Sequence, residues 1–251
     1  GGLKRAVYLW LEVFLSGMTD IILFQNRHEL AQAEAHGMGR RASLRYLGNG
    51  IDFADFPAPR ESRRKPKAFR LLCVARVEPK KNHLMLVRAV ELLRRRYGHS
   101  NLELFCVGEV NDGSAPEEAK RLGLEAAIHF TGVKTKDEVA AYLSSCHISV
   151  LSSVAEGLPR GLMESMLFGL PCVATDVTGS NEVVVDGENG FLVPLGDHEA
   201  MAERIDRIIR EDGLYERLSR RALEQALSRF DEDRVIGDLK AIYREAARAR
   251  R

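Results

Sequence analysis

The stretch that decides the fold is Glu156-Gly157-Leu158-Pro159-Arg160-Gly161-Leu162-Met163-Glu164. An apolar, strand-like run at 148–151 leads into it, and another at 171–175 leads out. Glycine and proline break its first half, and apolar residues at helical spacing fill its second half. The order strand, glycine-bearing loop, helix, strand is typical of an open α/β sheet, where ligands bind beyond the carboxyl ends of the strands. A helix that begins there favours an anion, typically a phosphate.

Two carboxylates frame this stretch. Glu156 lies in the loop and Glu164 about one turn into the helix, so one ligand could meet both. The alternative is that one glutamate caps the helix and the other is solvated. The glycines and proline between them favour the ligand-binding interpretation, because they let a backbone approach a ligand closely.

Composition limits the classes of partner. The 251 residues carry 37 Lys and Arg against 36 Asp and Glu, which argues against nucleic acid as the main partner. No apolar run reaches transmembrane length and no signal peptide is visible. The chain opens without a methionine, so we expect a fragment or a processed piece. The four isolated cysteines indicate buried free thiols in a reducing compartment: Cys73, Cys106, Cys146 and Cys172.

The chain reads as two α/β parts. Residues 1–48 alternate helix, strand, helix, strand, and are predicted to be the tail of an N-terminal Rossmann-like domain. Their first helix, at 3–17, has an aromatic face; we prefer packing on a sheet to a membrane-surface role. Residues 49–67 are predicted to be a hinge and a solvated linker, with three prolines and a charge run of Arg60, Arg63, Arg64, Lys65 and Lys67.

The longest part of the chain, 68–230, alternates strands and helices. This alternation predicts βαβ units and a doubly wound parallel sheet, Rossmann-like, followed by further helices. Residues 231–251 form a last helix, rich in Arg and Ala, that we expect to pack back on the N-terminal domain.

Polar groups follow three other predicted strands. Arg76 and Lys81 flank Pro79, and two cations on a stiffened loop suit a diphosphate, although a surface pair is the alternative. Gly108 follows the next strand and is a weak signal. The backbone of 131–134 could read a planar base. Together with the two glutamates, these groups describe a site for a nucleotide diphosphate-sugar. The seven histidines form no constellation, and no catalytic triad, P-loop or G-x-G-x-x-G motif is present.

This ordered set resembles the retaining glycosyltransferases of family 4, which have the two-Rossmann-domain B fold. The resemblance runs from about residue 20 to 243. It includes Gly48-Asn49-Gly50-Ile51-Asp52, similar to the interdomain hinge, and the segments 76–81, 107–108, 130–132, 156–164, 169–176, 182–184 and 186–194.

The resemblance implies a role for each site residue. Glu156 would contact hydroxyls of the donor sugar and assist catalysis, and Glu164 would bind the ribose. Arg76 and Lys81 would bind the diphosphate and stabilise the leaving group, and Val133 or Lys134 would lie beside the base. The remaining donor-binding positions would be Gly108, Gly157, Leu158, Pro159, Arg160, Gly161 and Leu162. The family is usually metal-independent, so we expect no metal and no cofactor; the nucleotide sugar is a substrate.

The implied activity is transfer of a hexose from a UDP- or GDP-sugar to a polysaccharide, glycolipid or other acceptor. The implied location is cytoplasmic, with peripheral contact at the inner face of the membrane. Most of the acceptor half is missing from the pattern, so we expect nucleotide binding but poor transfer unless a partner chain supplies that half. Two alternatives stay open: a nucleotide-sugar 2-epimerase of similar fold, and a non-catalytic nucleotide-sugar-binding subunit. Base, sugar, acceptor, linkage and oligomeric state are left open.

Overall fold

The computed structural model describes residues 2–40, 42–56, 61 and 63–249. The chain divides into two compact units, one of Gly1–Gly50 with Glu232–Arg251 and one of Ile51–Asp231. In chain order the helices and strands are α1 (Gly2–Ser16), β1 (Ile21–Phe24), α2 (Arg27–Ala35), β2 (Ser43–Tyr46), β3 (Arg70–Val74), α3 (His83–Arg95), β4 (Glu103–Val107), α4 (Ser114–Arg121), β5 (Ile128–Gly132), α5 (Lys136–Ser145), β6 (Ile148–Leu151), α6 (Arg160–Leu167), β7 (Cys172–Thr175), α7 (Ser180–Val183), β8 (Gly190–Val193), α8 (His198–Arg210), α9 (Leu214–Arg229) and α10 (Glu232–Ala249).

The smaller unit is built on the parallel pair β1 and β2. Asn26 caps the start of α2, because its side chain accepts a hydrogen bond of 2.7 Å from the Glu29 N–H. Arg45 on β2 forms two parallel hydrogen bonds to the carboxylate of Glu245 on α10, at 2.5 and 2.7 Å. This fork ties the last helix of the chain to the second strand.

The aromatic face of α1 differs from the prediction. Trp10 and Phe14 are exposed and stack on each other, with 5.6 Å between ring centroids, instead of packing on a sheet. Two strands of four residues offer too little apolar surface to cover this face.

The larger unit confirms the predicted doubly wound sheet. Its six strands are parallel, in the order β5-β4-β3-β6-β7-β8. All residues of β6 and β7 are buried, as expected when helices cover both faces of a parallel sheet. The chain order reverses between β3 and β6, and this switch point is where ligands of such sheets bind.

The two strands at the switch point diverge. β3 pairs with β4 along five residues, from Arg70 to Val74. It pairs with β6 only through Leu71 with Ile148 and Leu72 with Ser149. The carboxyl ends of β3 and β6 are therefore not joined by a ladder, and the loops that follow them have a gap between them.

The four cysteines are free and buried, as predicted. Burial raises the pKa of the Cys73 and Cys146 thiols to about 12. They remain neutral near pH 7 and act as small apolar side chains in the core.

The solvated-linker prediction is wrong at Arg63. Its guanidinium donates to three carbonyl oxygens, those of Leu143, Cys146 and Phe168, at the ends of α5 and α6. Burial lowers its pKa, yet the charge is compensated because the last carbonyls of a helix carry partial negative charge. One arginine in this run of basic residues is therefore half-buried and holds two helix ends together. Arg60 of the same run lies outside the described residues.

Candidate functional site

A cavity of about 200 Å³ lies where β3 and β6 diverge. One wall is formed by the end of β3 and the residues after it, and the other by β6, the loop after it and the start of α6. The predicted site residues that line it are Arg76, Lys81, Glu156, Leu158, Pro159, Arg160, Gly161 and Leu162. Loops far apart in the sequence meet here, so the parallel sheet has brought together the groups expected at its edge.

An ion pair crosses the cavity. Lys81 Nζ lies 2.6 Å from Glu156 Oε1, and the two side chains are only 18% and 8% exposed. The Ser153 hydroxyl donates to the same oxygen. Because water is largely excluded, each group polarises the other more strongly than a surface pair would.

Two serines that the sequence analysis overlooked support this pair. Ser152 and Ser153 follow β6 directly and are fully buried. The Ser152 hydroxyl lies 2.9 Å from the Lys81 carbonyl oxygen and 2.8 Å from that of Asn82. The signal was available, since polar residues directly after a buried parallel strand lie at the ligand-binding edge.

The N-terminus of α6 lies close to β3 because Gly161 has no side chain. A Cβ at this position would lie 2.5 Å from the Val74 carbonyl oxygen. Pro159 precedes the helix without a capping side chain. Within the described part of the chain, no protein acceptor contacts the N–H groups of Arg160 and Gly161, which leaves them for an anion.

Glu164 lies one turn into α6 and is buried. Arg160 Nε donates to its Oε1 at 2.9 Å. Burial raises the pKa of this carboxyl group, and Arg160 opposes part of that rise; Asp55 also raises the pKa, and Lys136 lowers it. Asp55 and Lys136 pair with each other beside it. Glu164 does not line the cavity around Lys81 and lies further along α6.

Arg76 is the more exposed of the two predicted cations. Its Nη2 lies 3.5 Å from Glu78 Oε1 in the same loop. A guanidinium at the rim of a cavity can turn toward an anion at small cost, since an exposed ion pair of this length holds it weakly.

The predicted glycine after β4 has a packing role. A Cβ on Gly108 would lie 2.3 Å from the Ala75 carbonyl oxygen, and its N–H donates to the Gly132 carbonyl at 3.0 Å. The backbone of Gly108 is therefore held against the edge of the sheet by close packing and by a hydrogen bond. Gly157 is likewise packed against a neighbouring loop, because a Cβ on Gly179 would lie 2.1 Å from its carbonyl oxygen.

The residues predicted to lie beside a base are on the loop after β5. Val133 is exposed, and Lys134 pairs with Glu138 of α5 at 3.4 Å. None of Gly108, Gly157, Val133, Lys134 and Glu164 lines the cavity around Lys81. The cavity thus brings Arg76, Lys81 and Glu156 together. The ligand-binding roles of these residues and of those expected beside a base remain predictions.

Among the residues that the structure describes, no group of three His, Cys, Asp or Glu side chains is arranged to hold a metal ion. None of the described helices is both long enough and apolar enough to cross a bilayer.

Comparison with known proteins assigns the chain to a family. Residues 56–225 match the family described as Glycosyl transferases group 1. Over 247 residues the chain is 29% identical to EpsD of Bacillus subtilis (strain 168), a protein named as a glycosyltransferase. The match covers 94% of this chain and 64% of EpsD. Over 257 residues it is 24% identical to the UDP-Gal:alpha-D-GlcNAc-diphosphoundecaprenol alpha-1,3-galactosyltransferase of Escherichia coli. This match covers 95% of this chain and 64% of the Escherichia coli protein. The chain thus spans 64% of the length of these curated relatives.

Solved structures of similar shape agree with the fold. The sucrose-phosphate synthase from Thermosynechococcus elongatus superposes with a TM-score of 0.82 at 21% identity, over 97% of this chain and 62% of that one. HepE of Anabaena, in complex with UDP and glucose, superposes with a TM-score of 0.80 at 21% identity, over 94% and 66%. At this identity the likeness establishes the fold.

Proposed function

Since the chain belongs to the family of group 1 glycosyl transferases, we propose that it is the donor-binding part of a retaining glycosyltransferase of family 4. Its substrate would be a UDP- or GDP-sugar. Its product would be a polysaccharide or glycolipid extended by one hexose. The observation that carries the proposal is the cavity that holds Lys81, Glu156 and the first N–H groups of α6 together.

The chemistry of the cavity fits a diphosphate leaving group. Lys81, with Arg76 at the rim, would neutralise the charge that develops on the diphosphate as the bond to the sugar breaks. The N–H groups of Arg160 and Gly161 would add fixed dipoles directed at the same oxygens. No metal is needed for this stabilisation when two cations and a helix N-terminus supply it, and we propose a metal-independent site.

The two glutamates would orient the remainder of the donor. Glu156 would accept hydrogen bonds from the sugar hydroxyls, and Glu164 from the ribose hydroxyls. In the retaining step the bond between the anomeric carbon and the diphosphate oxygen breaks. The acceptor oxygen bonds to that carbon on the same face, and its proton passes to the departing phosphate.

The relatives support an acceptor in surface polysaccharide or glycolipid assembly. The Escherichia coli relative is named for a transfer from UDP-Gal to a diphosphoundecaprenol-linked sugar, and a Staphylococcus aureus relative is named for capsular polysaccharide biosynthesis. We therefore propose an acceptor of glycan or lipid-linked type, used at the inner face of the cytoplasmic membrane. This chain alone would bind the donor and transfer sugar poorly until a further domain or partner chain supplies the acceptor site.

The test is a thermal-shift series with UDP, GDP and their sugar conjugates. A ligand that binds only the folded state increases the free energy of unfolding, by about 2.7 kcal/mol at one hundred times its Kd, and so raises the melting temperature. We expect a shift with one nucleotide series. Glu164→Ala should reduce it, and Arg76→Ala with Lys81→Ala should abolish it. Arg95→Ala, on the exposed pair with Glu91 of α3, is the matched control and should shift like the parent.

Two results would contradict the proposal. If no nucleotide shifts the parent chain, the donor site is refuted. If the double variant responds like Arg95→Ala, the diphosphate binds elsewhere. The 2-epimerase alternative needs a histidine in the cleft, and no histidine lines the cavity among the residues described. A non-catalytic subunit would show the same shifts and would restore transfer only with its partner chain.

A further inference from the structure

We propose that Ser153 is a positioning residue for Glu156 that fixes which carboxylate oxygen faces the donor sugar. The inference rests on the proposed function, because it assigns the sugar contact to Glu156. It goes further by naming a residue outside the predicted set and by assigning different roles to the two oxygens of one carboxylate.

The two oxygens of Glu156 have different surroundings. Oε1 accepts from both Lys81 Nζ, at 2.6 Å, and the Ser153 hydroxyl. No donor from the described residues contacts Oε2, and Glu156 lines the cavity. One oxygen is thus occupied by the protein, and the other is left to accept a hydrogen bond from a ligand.

Lys81 alone would fix this orientation poorly. The terminal torsion of a glutamate has broad minima, so a single partner leaves the carboxylate able to rotate. Lys81 is also the proposed diphosphate ligand, and its ammonium would be shared once phosphate oxygens compete for it. Ser153 is neutral and buried, and its hydrogen bond to Glu156 does not compete with a phosphate for charge.

The position of Ser153 is itself fixed by the sheet. Thr175, the last residue of β7, is fully buried, and its hydroxyl donates to the Ser153 carbonyl oxygen at 2.6 Å. The Glu156 N–H donates to the Thr178 carbonyl at 3.1 Å. The loop from Ser153 to Glu156 is therefore held at both ends by β7 and the residues after it. A buried polar network with its partners in place is rigid, as the support of a binding residue requires.

The experiment separates the sugar from the nucleotide. Isothermal titration gives the Kd of the parent chain for UDP, UDP-glucose, UDP-galactose, UDP-N-acetylglucosamine, GDP and GDP-mannose. The ratio of the nucleotide Kd to the sugar-nucleotide Kd measures the contribution of the sugar. We expect Ser153→Ala to reduce the largest such ratio about fivefold to tenfold, while the Kd for the nucleotide alone changes less than about twofold.

Three companion variants distinguish positioning from a general loss of stability. Thr175→Val removes the hydroxyl that holds Ser153 and should lower the ratio in the same direction, and Thr175→Ser, which keeps that hydroxyl, should restore it. Ser219→Ala removes an equally buried hydroxyl, which accepts from the Arg63 N–H at 2.9 Å in another part of the fold. It should lower the melting temperature and leave the ratio unchanged.

Each outcome separates this inference from the proposed function. A parent chain that binds neither UDP nor GDP refutes the proposed function. A parent chain that binds nucleotide with no added affinity from any sugar overturns the role given to Glu156 and Ser153 and leaves the nucleotide site intact. Ser153→Ala with an unchanged ratio, or a ratio that falls equally in Ser219→Ala, overturns the inference alone.

Discussion

At the scale of a residue, Glu164 shows how burial opposes the ionisation of a carboxyl group. Its carboxylate is nearly enclosed, and burial raises its pKa above the usual value of a glutamate although Arg160 donates to it. A folded-state pKa above the unfolded one means that ionisation costs stability. That cost is absent below the unfolded pKa, appears as the pH rises through the folded pKa, and is complete above it.

Replacing Glu164 with glutamine should therefore stabilise the chain at neutral pH. The amide can still accept from Arg160 but carries no charge to be buried. In urea titrations from pH 4 to 8, we expect the free energy of unfolding of Glu164→Gln to exceed that of the parent at pH 8, with a difference that shrinks toward pH 4. The affinity for the nucleotide should fall about tenfold in the same variant, because a ribose hydroxyl loses a charged acceptor. A difference in stability that grows toward acid would contradict the assigned cause.

Single residues also show which features of the site the sequence could predict and which it could not. Arg76, Lys81, Glu156 and Glu164 were predicted as site residues because charged groups that follow strand ends can be recognised in the sequence alone. Ser153 and Thr175 were missed because their partners depend on the spacing between two parallel strands, which sequence does not give. Arg63 was misjudged for a related reason, since it lies among other basic residues and only the positions of the ends of α5 and α6 distinguish it.

At the scale of an element, the helix α6 is placed by one glycine. Gly161 lets the first turn of α6 contact the end of β3, and this contact brings the N–H groups of that turn to the cavity that Lys81 lines. The alternation of strands and helices through residues 68–230 was predictable from the sequence, and the structure has it. Their spacing from neighbours was not, because it depends on such backbone contacts.

Gly161→Ala should displace α6 from β3. A methyl group 2.5 Å from a carbonyl oxygen cannot be accommodated without movement of the backbone, and we expect a loss of about 2 kcal/mol in unfolding free energy together with a weaker thermal shift by the nucleotide. Gly237→Ala is the matched control in α10, where an added Cβ meets nothing within 4 Å. That variant should be neutral or slightly more stable. Equal behaviour of the two variants in urea titration would refute the close-approach argument.

At the scale of the molecule, the candidate site belongs to one of the two units. Every residue of the proposed donor site lies within Ile51–Asp231. The ends of this unit meet, because the Ile51 N–H donates to the Phe230 carbonyl at 2.7 Å and Ile51 bridges to Asp231. The smaller unit joins the two ends of the chain, Gly1–Gly50 and Glu232–Arg251.

A fragment of residues 51–231 should therefore fold and bind as the whole chain does. We expect a cooperative thermal transition and a nucleotide Kd within about threefold of the value for the full chain, measured by calorimetry. The same fragment with Lys81→Ala should lose binding. A fragment that folds but binds more than tenfold more weakly would show that the other unit contributes to the nucleotide site.

The short pairing of β3 with β6 has a mechanical consequence. The sheet consists of two three-stranded halves, β5-β4-β3 and β6-β7-β8, and only two residue pairs connect them. The weakest strand pairing therefore lies in the middle of the sheet and not at its edge. A ligand bound by Lys81 on one side and by the start of α6 on the other would connect the two halves of the sheet across this boundary. Its binding would slow amide hydrogen exchange in strands on both sides, including β4 and β7, which it does not touch.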